Sequence, residues 1–532
     1  MALAMPSLFV AAGMLMTFYP TLFSGFARIQ NDSGDTRHLN YVLEHGYRWL
    51  ARAPLNRDLW SPPIFYPEPN TAAYTELLLG VVPFYVPWRL MRFDSDTAFQ
   101  LWMLAISVLN FAAMYWFLRR SFAFSVLASS FGSFLFAFGS PRINQLNHQF
   151  LLPQFFTVLA LYFAGELFRF HRAAPDDRRC SPCVIAVFAS VAAQIYASYY
   201  HGWFLSFALA VAFLGALAIA PIRREVLAVL RAHGAAIAIG LALCAAVLAP
   251  LAWHHLVAAK TVGFRPFWQA EGLLPRFQSW FYMGEENWLY GWTAKHDPFV
   301  YLPMEWEQRL GFGVLTPVVV FWSLLRERHR PAIRIMIVTW VVVLLSATMY
   351  RWGFSPWRWI FHWVPGANAI RAVSRIGMLA TIPAAIGLAL FVDFPRPASR
   401  RWIALAAGLF CLVEQGRRSA SYEKQPIRSE IAAISAGIPS DCRSFFYSCV
   451  GDKPSLECHL DAMWAALEAN IPTVNGYSSN DPPHYSALAE DAVRSPADEE
   501  RLRPALEAWA QEHGLTPRSI CWVELPRPAW NH

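Results

Sequence analysis

Two carboxylates, Asp32 and Asp35, follow directly on the first apolar segment of the chain, in the run GFARIQNDSGDTRHLNYVLEHGYRWL. A carboxylate held at a membrane surface can act as a general base, taking the proton from a hydroxyl as that oxygen attacks. Asp35 follows Gly34 and is the better placed for that role. Asp32 lies three residues earlier and would share its face if this turn is helical, where it could orient Asp35 or help to bind a cation. The plainer reading of both is a helix cap, since Asp is among the preferred capping residues.

Three further polar clusters fall in connections between apolar segments. SPRINQLNHQ (140–149) carries Arg142, His148 and Gln149, and polar residues kept at membrane depth are costly enough to imply a task. IRAVSR (370–375) carries Arg371 and Arg375 at i, i+4. On an α-helix that spacing puts both guanidinium groups on one face, suited to bidentate contact with a phosphate. WFYMGEENWLYGW (280–292) sets Glu285 and Glu286 among Trp and Tyr, whose rings could stack on sugars. The plainer readings are packing for His148, snorkelling to lipid phosphate for the arginines and an interfacial aromatic belt for 280–292.

The elements that must position these residues are membrane spans. Of 532 residues, 56% are hydrophobic and only 15% charged, against about a quarter charged in soluble domains. Apolar runs near the ~20 residues needed to cross a bilayer recur at 5–26, 97–118, 122–139, 150–169, 184–200, 203–221, 235–257, 309–325, 333–350, 375–393 and 402–415. The expected architecture is an all-α polytopic membrane protein of about eleven spans. MALAMPSLFV lacks a basic start, so the first run is read as an uncleaved span.

Arginine-rich connections mark the cytoplasmic side. They are Arg119 with Arg120, Arg169 to Arg179, Arg223 to Arg231, Arg326 to Arg334 and Arg396 to Arg401. The alternate connections, 140–149, 199–202, 258–308 and 351–374, are rich in Trp, Tyr, His and Pro and belong to the outer face. The segment 75–93 is long enough for a marginal span but holds Pro83 and Pro87. If it only dips into the outer leaflet, Asp35 lies outside, and that is the preferred arrangement.

The organisation expected is a transmembrane domain, 1–416, with a long first outer loop, 27–96, followed by a soluble domain, 417–532. RSFFYSC (443–449) and SICWVEL (519–525) read as strands, while 460–469 and 497–514 carry helical apolar spacing. The tail is thus a small α/β domain. It holds Cys442, Cys449, Cys458 and Cys521, which suit disulfides in an oxidising compartment. Four cysteines allow three pairings, and these stay open. The CSPC pair, Cys180 and Cys183, falls on the cytoplasmic side without a second pair and is treated as incidental.

The first span, the long outer loop with an early Asp, the many-spanned body and the small outer domain together resemble the GT-C superfamily of integral membrane glycosyltransferases. The segments that carry the resemblance are GDTRHLNYVLEHG (34–46), FYPEPN (65–70), INQLNHQ (143–149), RAVSR (371–375) and NGYSSNDPPHY (475–485). The resemblance implies a polyprenyl-phosphate-linked sugar as donor, and a glycan, lipid or protein as acceptor at the outer face of the cytoplasmic membrane. It maps the catalytic carboxylate onto Asp35, with Asp32 second. Donor contacts would fall to Arg142, His148, Gln149, Glu285, Arg371 and Arg375. No cofactor and no nucleic acid are expected. Many members of the superfamily show adjacent acidic pairs in this loop, whereas Ser33 and Gly34 separate the two here, so metal-free catalysis is the preferred expectation. The competing classes are a transporter or flippase of lipid-linked sugars, which would place charge at span midplanes, and a non-catalytic assembly factor.

Overall fold

The computed structural model describes residues 4–394, 397–450, 453–489, 492–493, 496–516 and 519–525. The helices begin with α1 (Ala4–Phe23), α2 (Asp35–Leu50), α3 (Val86–Leu90), α4 (Ser95–Ser121), α5 (Val126–Phe138) and α6 (Ser140–Ile143). They continue with α7 (Phe155–Ala173), α8 (Cys180–Ala197), α9 (Tyr199–Ala218), α10 (Ala220–Val262) and α11 (Phe267–Glu271). After these come α12 (Leu315–Arg326), α13 (Pro331–Ala347), α14 (Trp357–Trp363), α15 (Thr381–Asp393) and α16 (Ala398–Val413). The tail adds α17 (Lys424–Gly437), α18 (Ser455–Ala469) and α19 (Pro496–Glu512).

Each apolar run expected to span overlaps one of these helices, although 309–314 precedes α12, 375–380 is a 3-10 helix before α15, and α5 has only 13 residues. Among the described residues, seven helical stretches are long and apolar enough to cross a membrane, and Leu315–Arg326, Pro331–Ala347 and Arg401–Val413 are shorter apolar helices. The protein is a polytopic, mostly helical membrane protein with a small α/β tail. Arg396, in the last of the basic connections, lies outside the described residues.

Two boundaries differ from the expectation. Helix α10 has 43 residues, about 65 Å at 1.5 Å per residue, or twice the ~30 Å hydrocarbon core. It therefore absorbs both the basic stretch before the expected span and the first residues of the following connection, bending at His233. The segment 75–93 contains no helix of membrane length. It breaks into a 3-10 turn, Val82–Phe84, and the five-residue α3, each with Pro in its first turn. Proline has no N–H to donate and its ring crowds the preceding turn, so two prolines four residues apart disfavour a continuous helix here.

The chain divides into two compact units. Unit 1 is 1–22, 103–248 and 265–419; unit 2 is 23–102, 249–264 and 420–532. The first loop thus groups with the tail, not with the spans among which the division at 416/417 had placed it. Its backbone explains why. The strand β1 (Arg28–Ile29) pairs antiparallel with β2 (Tyr422–Glu423). Phe65 and Tyr66 donate their N–H groups to the carbonyls of Asn475 and Thr473, at 3.1 and 3.0 Å, and Thr473 donates back to Pro63 at 3.1 Å. Loop backbone that would otherwise need water is satisfied by the tail.

The interior of unit 1 is built on α5 against α15, where Phe131, Leu135, Phe138, Ala385 and Leu388 are buried. Gly132 permits the close approach, because a Cβ there would stand 2.6 Å from the carbonyl oxygen of Ala385. Small residues at such crossings are how helices pack when lipid removes the hydrophobic contrast between them.

Unit 2 has a core of Tyr41, Phe65, Phe445, Phe446, Trp464, Tyr485 and Trp509. Strand β3 (Ser444–Tyr447) runs parallel to β6 (Ile520–Val523), with Ser444 opposite Ile520; β4 (Cys449–Val450) pairs with β5 (Ala492–Val493). Of the three possible pairings the fold contains Cys442–Cys521 and Cys449–Cys458, with Cα separations of 5.9 and 5.8 Å. Cys180 and Cys183 are buried free thiols.

Candidate active-site clusters

In unit 2, Asp35 is the first residue of α2 and half-buried. Negative charge is stabilised at a helix N-terminus by the unpaired N–H groups there. Asp32 is exposed, and its Oδ1 accepts from Gly34 N–H at 2.9 Å, shaping the entry into α2. The two carboxylates therefore do not share a helical face.

Asp35 Oδ1 accepts a hydrogen bond from the phenol of Tyr477 at 2.7 Å. One turn further, His38 meets the Tyr477 ring edge-on at a centroid distance of 5.3 Å, and its Nε2 lies 3.2 Å from Thr75 Oγ1. Burial pulls the His38 pKa down to about 4 against the opposing pull of Asp35, so the imidazole is neutral at physiological pH. Around this turn, Ser33 donates to Glu457 at 2.7 Å, and Arg37 bonds to the buried Asp461 at 2.5 Å. Lys453 is a second cation on Asp461.

Unit 1 carries the other cluster. Glu307 is buried, and Arg375 donates to it through Nη2 at 2.6 Å and Nε at 3.2 Å. Gln145 donates to the same carboxylate at 3.2 Å, and His148 stands 4.0 Å from it while contacting Gln145 at 3.0 Å. Burial alone would raise the Glu307 pKa, but Arg375, then His148 and the hydrogen bonds, outweigh it and hold it at about 2. The Arg375 guanidinium lies over the rings of Phe150 and Tyr200, at 5.3 and 5.1 Å.

Residues 371–375 do not form the α-helical turn that the i, i+4 spacing suggested. A 3-10 helix starts only at Val373, because the N–H groups of Arg371 and Ala372 go to the Tyr200 hydroxyl and that of Ser374 to Leu273. Arg371 is consequently exposed, while Arg375 is buried. Arg265 is close enough for Arg371 to act on it: burial first, and then that like charge, lower its pKa. The guanidinium of Arg375, bound to Glu307, and the backbone of Arg371 thus meet at Tyr200, with Arg265 near both Arg371 and that ring.

The remaining candidates are placed as follows. Arg142 is fully buried, donating to the carbonyls of Phe136 and Leu152 at 3.0 and 2.9 Å and to Gln154, with its charge over the Phe136 ring. Gln149 is buried in the 3-10 helix Gln149–Leu151. Glu285 is exposed, and it is Glu286 that pairs with Arg309, at 2.6 Å, and approaches Arg417, at 3.6 Å. Tyr477, Gln145 and Glu307 were not singled out from the sequence. Tyr477 lies inside the quoted NGYSSNDPPHY, but nothing local says that its hydroxyl meets Asp35. Among the described residues there is no group of three or more His, Cys, Asp or Glu that could hold a metal.

No protein-family model matches the sequence, and no curated protein matches it. Solved structures do match. An oligosaccharyltransferase from Archaeoglobus fulgidus, crystallised in complex with Zn and sulfate, aligns with a TM-score of 0.56 at 12% identity, covering 95% of this chain and 67% of that one. ArnT from Cupriavidus metallidurans, in its apo state, aligns at 13% identity with a TM-score of 0.45, covering 93% and 90%. With the spanning helices, the long first loop and the α/β tail in place, this chain shares the fold of that oligosaccharyltransferase.

Proposed function

We propose that the protein is a glycosyltransferase that moves a sugar from a polyprenyl-phosphate donor to an acceptor hydroxyl at the outer face of the cytoplasmic membrane. The observation that carries this reading is Asp35: a half-buried carboxylate at the head of α2, on a GT-C fold, hydrogen-bonded by a neutral phenol. Such a carboxylate keeps the capacity to accept a proton, which a base needs.

Asp35 would take the acceptor hydroxyl's proton as that oxygen forms its bond to the anomeric carbon. The bond from that carbon to the phosphate oxygen breaks, and its electron pair leaves with the polyprenyl phosphate. The growing charge on the leaving group needs preorganised cations. Arg371, exposed and seconded by Arg265, suits this contact; Arg375, tied to Glu307, acts as fixed positive background. His148 suits a contact to sugar or phosphate. Arg142, buried and bound to carbonyls, would shape the 140–149 connection, and Gln149 would pack behind it. Glu285 is free to meet a sugar hydroxyl from its exposed position.

The Archaeoglobus protein was crystallised with Zn. Here Asp32 Oδ1 and Asp35 Oδ1 both accept hydrogen bonds, and no third ligand of the usual types gathers with them among the described residues. The proposed steps use no metal. The two disulfides of the tail support an outer location for it, since such bonds persist in oxidising compartments.

The test is mass spectrometry of the polyprenyl-phosphate sugar pool in cells making wild-type protein or Asp35→Asn at equal abundance. One lipid-linked sugar should build up in the mutant. An unchanged pool would sink the assignment of Asp35 as base.

A further inference from the structure

We infer that Tyr477 is a positioning residue for Asp35, so that the tail is a working part of the catalytic site and not merely a cover for it. This rests on the reading of Asp35 as the base. The hydroxyl donates to Asp35 Oδ1 at 2.7 Å across 442 residues of sequence. A bond of this kind to an ionised acceptor is among the stronger ones, and it stabilises the carboxylate over the acid.

The segment that presents Tyr477 is held on both sides. Asn475 is buried and grips β3 twice, accepting from Tyr447 N–H at 2.7 Å and donating to the Tyr447 carbonyl at 2.9 Å. Its own carbonyl accepts from Phe65 of the first loop. A Cβ on Gly476 would stand 2.5 Å from the ring of Phe65, which is itself fully buried. The residue before Tyr477 is thus clamped between loop and sheet, and the ring that follows is braced edge-on against His38.

The alternative is that Tyr477 only ties the tail to the loop. That tie already has several other members: the β1–β2 pair, the backbone bonds of Phe65, Tyr66 and Thr473, and the Arg37–Asp461 ion pair. One more neutral hydroxyl adds little to it, but it is directed at the atom whose basicity the reaction uses. The charged and titratable groups around Asp35 are His38 on α2, Asp32 before it, Arg37 with Asp461 and Lys453, and Glu457 on α18. Arg37 and Lys453 are bound to Asp461, and His38 stays neutral down to about 4. Because His38 itself titrates at about 4 and packs on Tyr477, the acid limb is read in a His38→Gln background, where a shift on changing Tyr477 reports on the carboxylate it bonds, Asp35.

The experiment adds purified full-length protein to membranes from cells lacking it, which hold unused donor and acceptor, and follows donor loss against pH. Tyr477→Phe should lower the rate about tenfold and move the acid limb up by about one pH unit, because losing the donor raises the carboxyl pKa. A monofluorinated tyrosine at 477, a stronger donor of the same shape, should move the limb down. An acid limb that stays in place in both proteins overturns the assignment, even if the rate falls. If Tyr477→Phe fails to fold, the fluorinated protein decides alone. Asp35→Asn run alongside separates the two readings: full activity there removes the base itself, whereas an inactive Asp35→Asn with an unshifted Tyr477→Phe overturns only the role of Tyr477.

Discussion

Two carboxylates of this molecule sit in opposite electrostatic settings. Asp35, in unit 2, is half-buried and accepts from a neutral phenol. Glu307, in unit 1, is buried and held by a guanidinium, with its pKa near 2. A proton acceptor must not be so stabilised as an anion that it refuses the proton, and Glu307 is. Glu307 holds Arg375 in place, whereas Asp35 is the carboxylate proposed as the base. The difference shows that a buried acid in a candidate site is identified by its partner rather than by its depth.

The largest effect that would sharpen this contrast is on Asp35 itself. Asp35→Asn should cut donor consumption about a thousandfold and lower the melting temperature only slightly, since Tyr477 can still donate, more weakly, to the amide oxygen. Glu307→Gln should do the reverse in kind. Leaving Arg375 buried without its counter-charge costs about 3 kcal/mol, read as a lowered melting temperature in detergent, and Glu307→Gln with Arg375→Gln should regain part of it. A Glu307→Gln protein that is stable but inactive would break the comparison.

His38 gives a pH-dependent arm of comparable size. Its pKa is about 4 in the fold against 6.5 for the free group, so between those values the unfolded chain binds a proton that the fold does not. Stability should therefore rise with pH from about 4 and be complete above about 6.5, a span worth about 3 kcal/mol. His38→Gln should make that rise shallower by about this amount in melting curves taken at each pH, the remainder coming from other buried histidines such as His45 and His459. Arg371→Ala, at an exposed position, should raise KM for the donor about tenfold through one lost charged contact, with no change in melting. Last, a metal bridging Asp35 would erase the contrast with Glu307. Dialysis against EDTA should leave donor consumption unchanged.

The apolar spans were readable because a helix in lipid announces itself by composition alone: about 20 apolar residues suffice, and each expected run overlaps a helix, if not over its whole length. The overrun of α10 was not readable, because past the membrane its residues follow no hydropathy rule. Asp35 drew notice from its place after the first span and its Gly, and the structure sets it at the head of a helix. Glu307 could not, because its signal is a contact with Arg375, 68 residues away. The arginines 371 and 375 do not share a helical face, since backbone bonds to Tyr200 and Leu273 replace the α-helical turn that their spacing suggested.

What the sequence determined by itself is the membrane class, the approximate helices and the stock of chemistry-bearing side chains. These depend on the affinity of short stretches for lipid or water, which each stretch carries alone. The tertiary structure decided the partners: which of three cysteine pairings forms, that the first loop joins the tail, and that one carboxylate meets a phenol and the other a guanidinium. Those outcomes depend on groups brought together by packing across as many as 442 residues, and no local preference encodes such a distance.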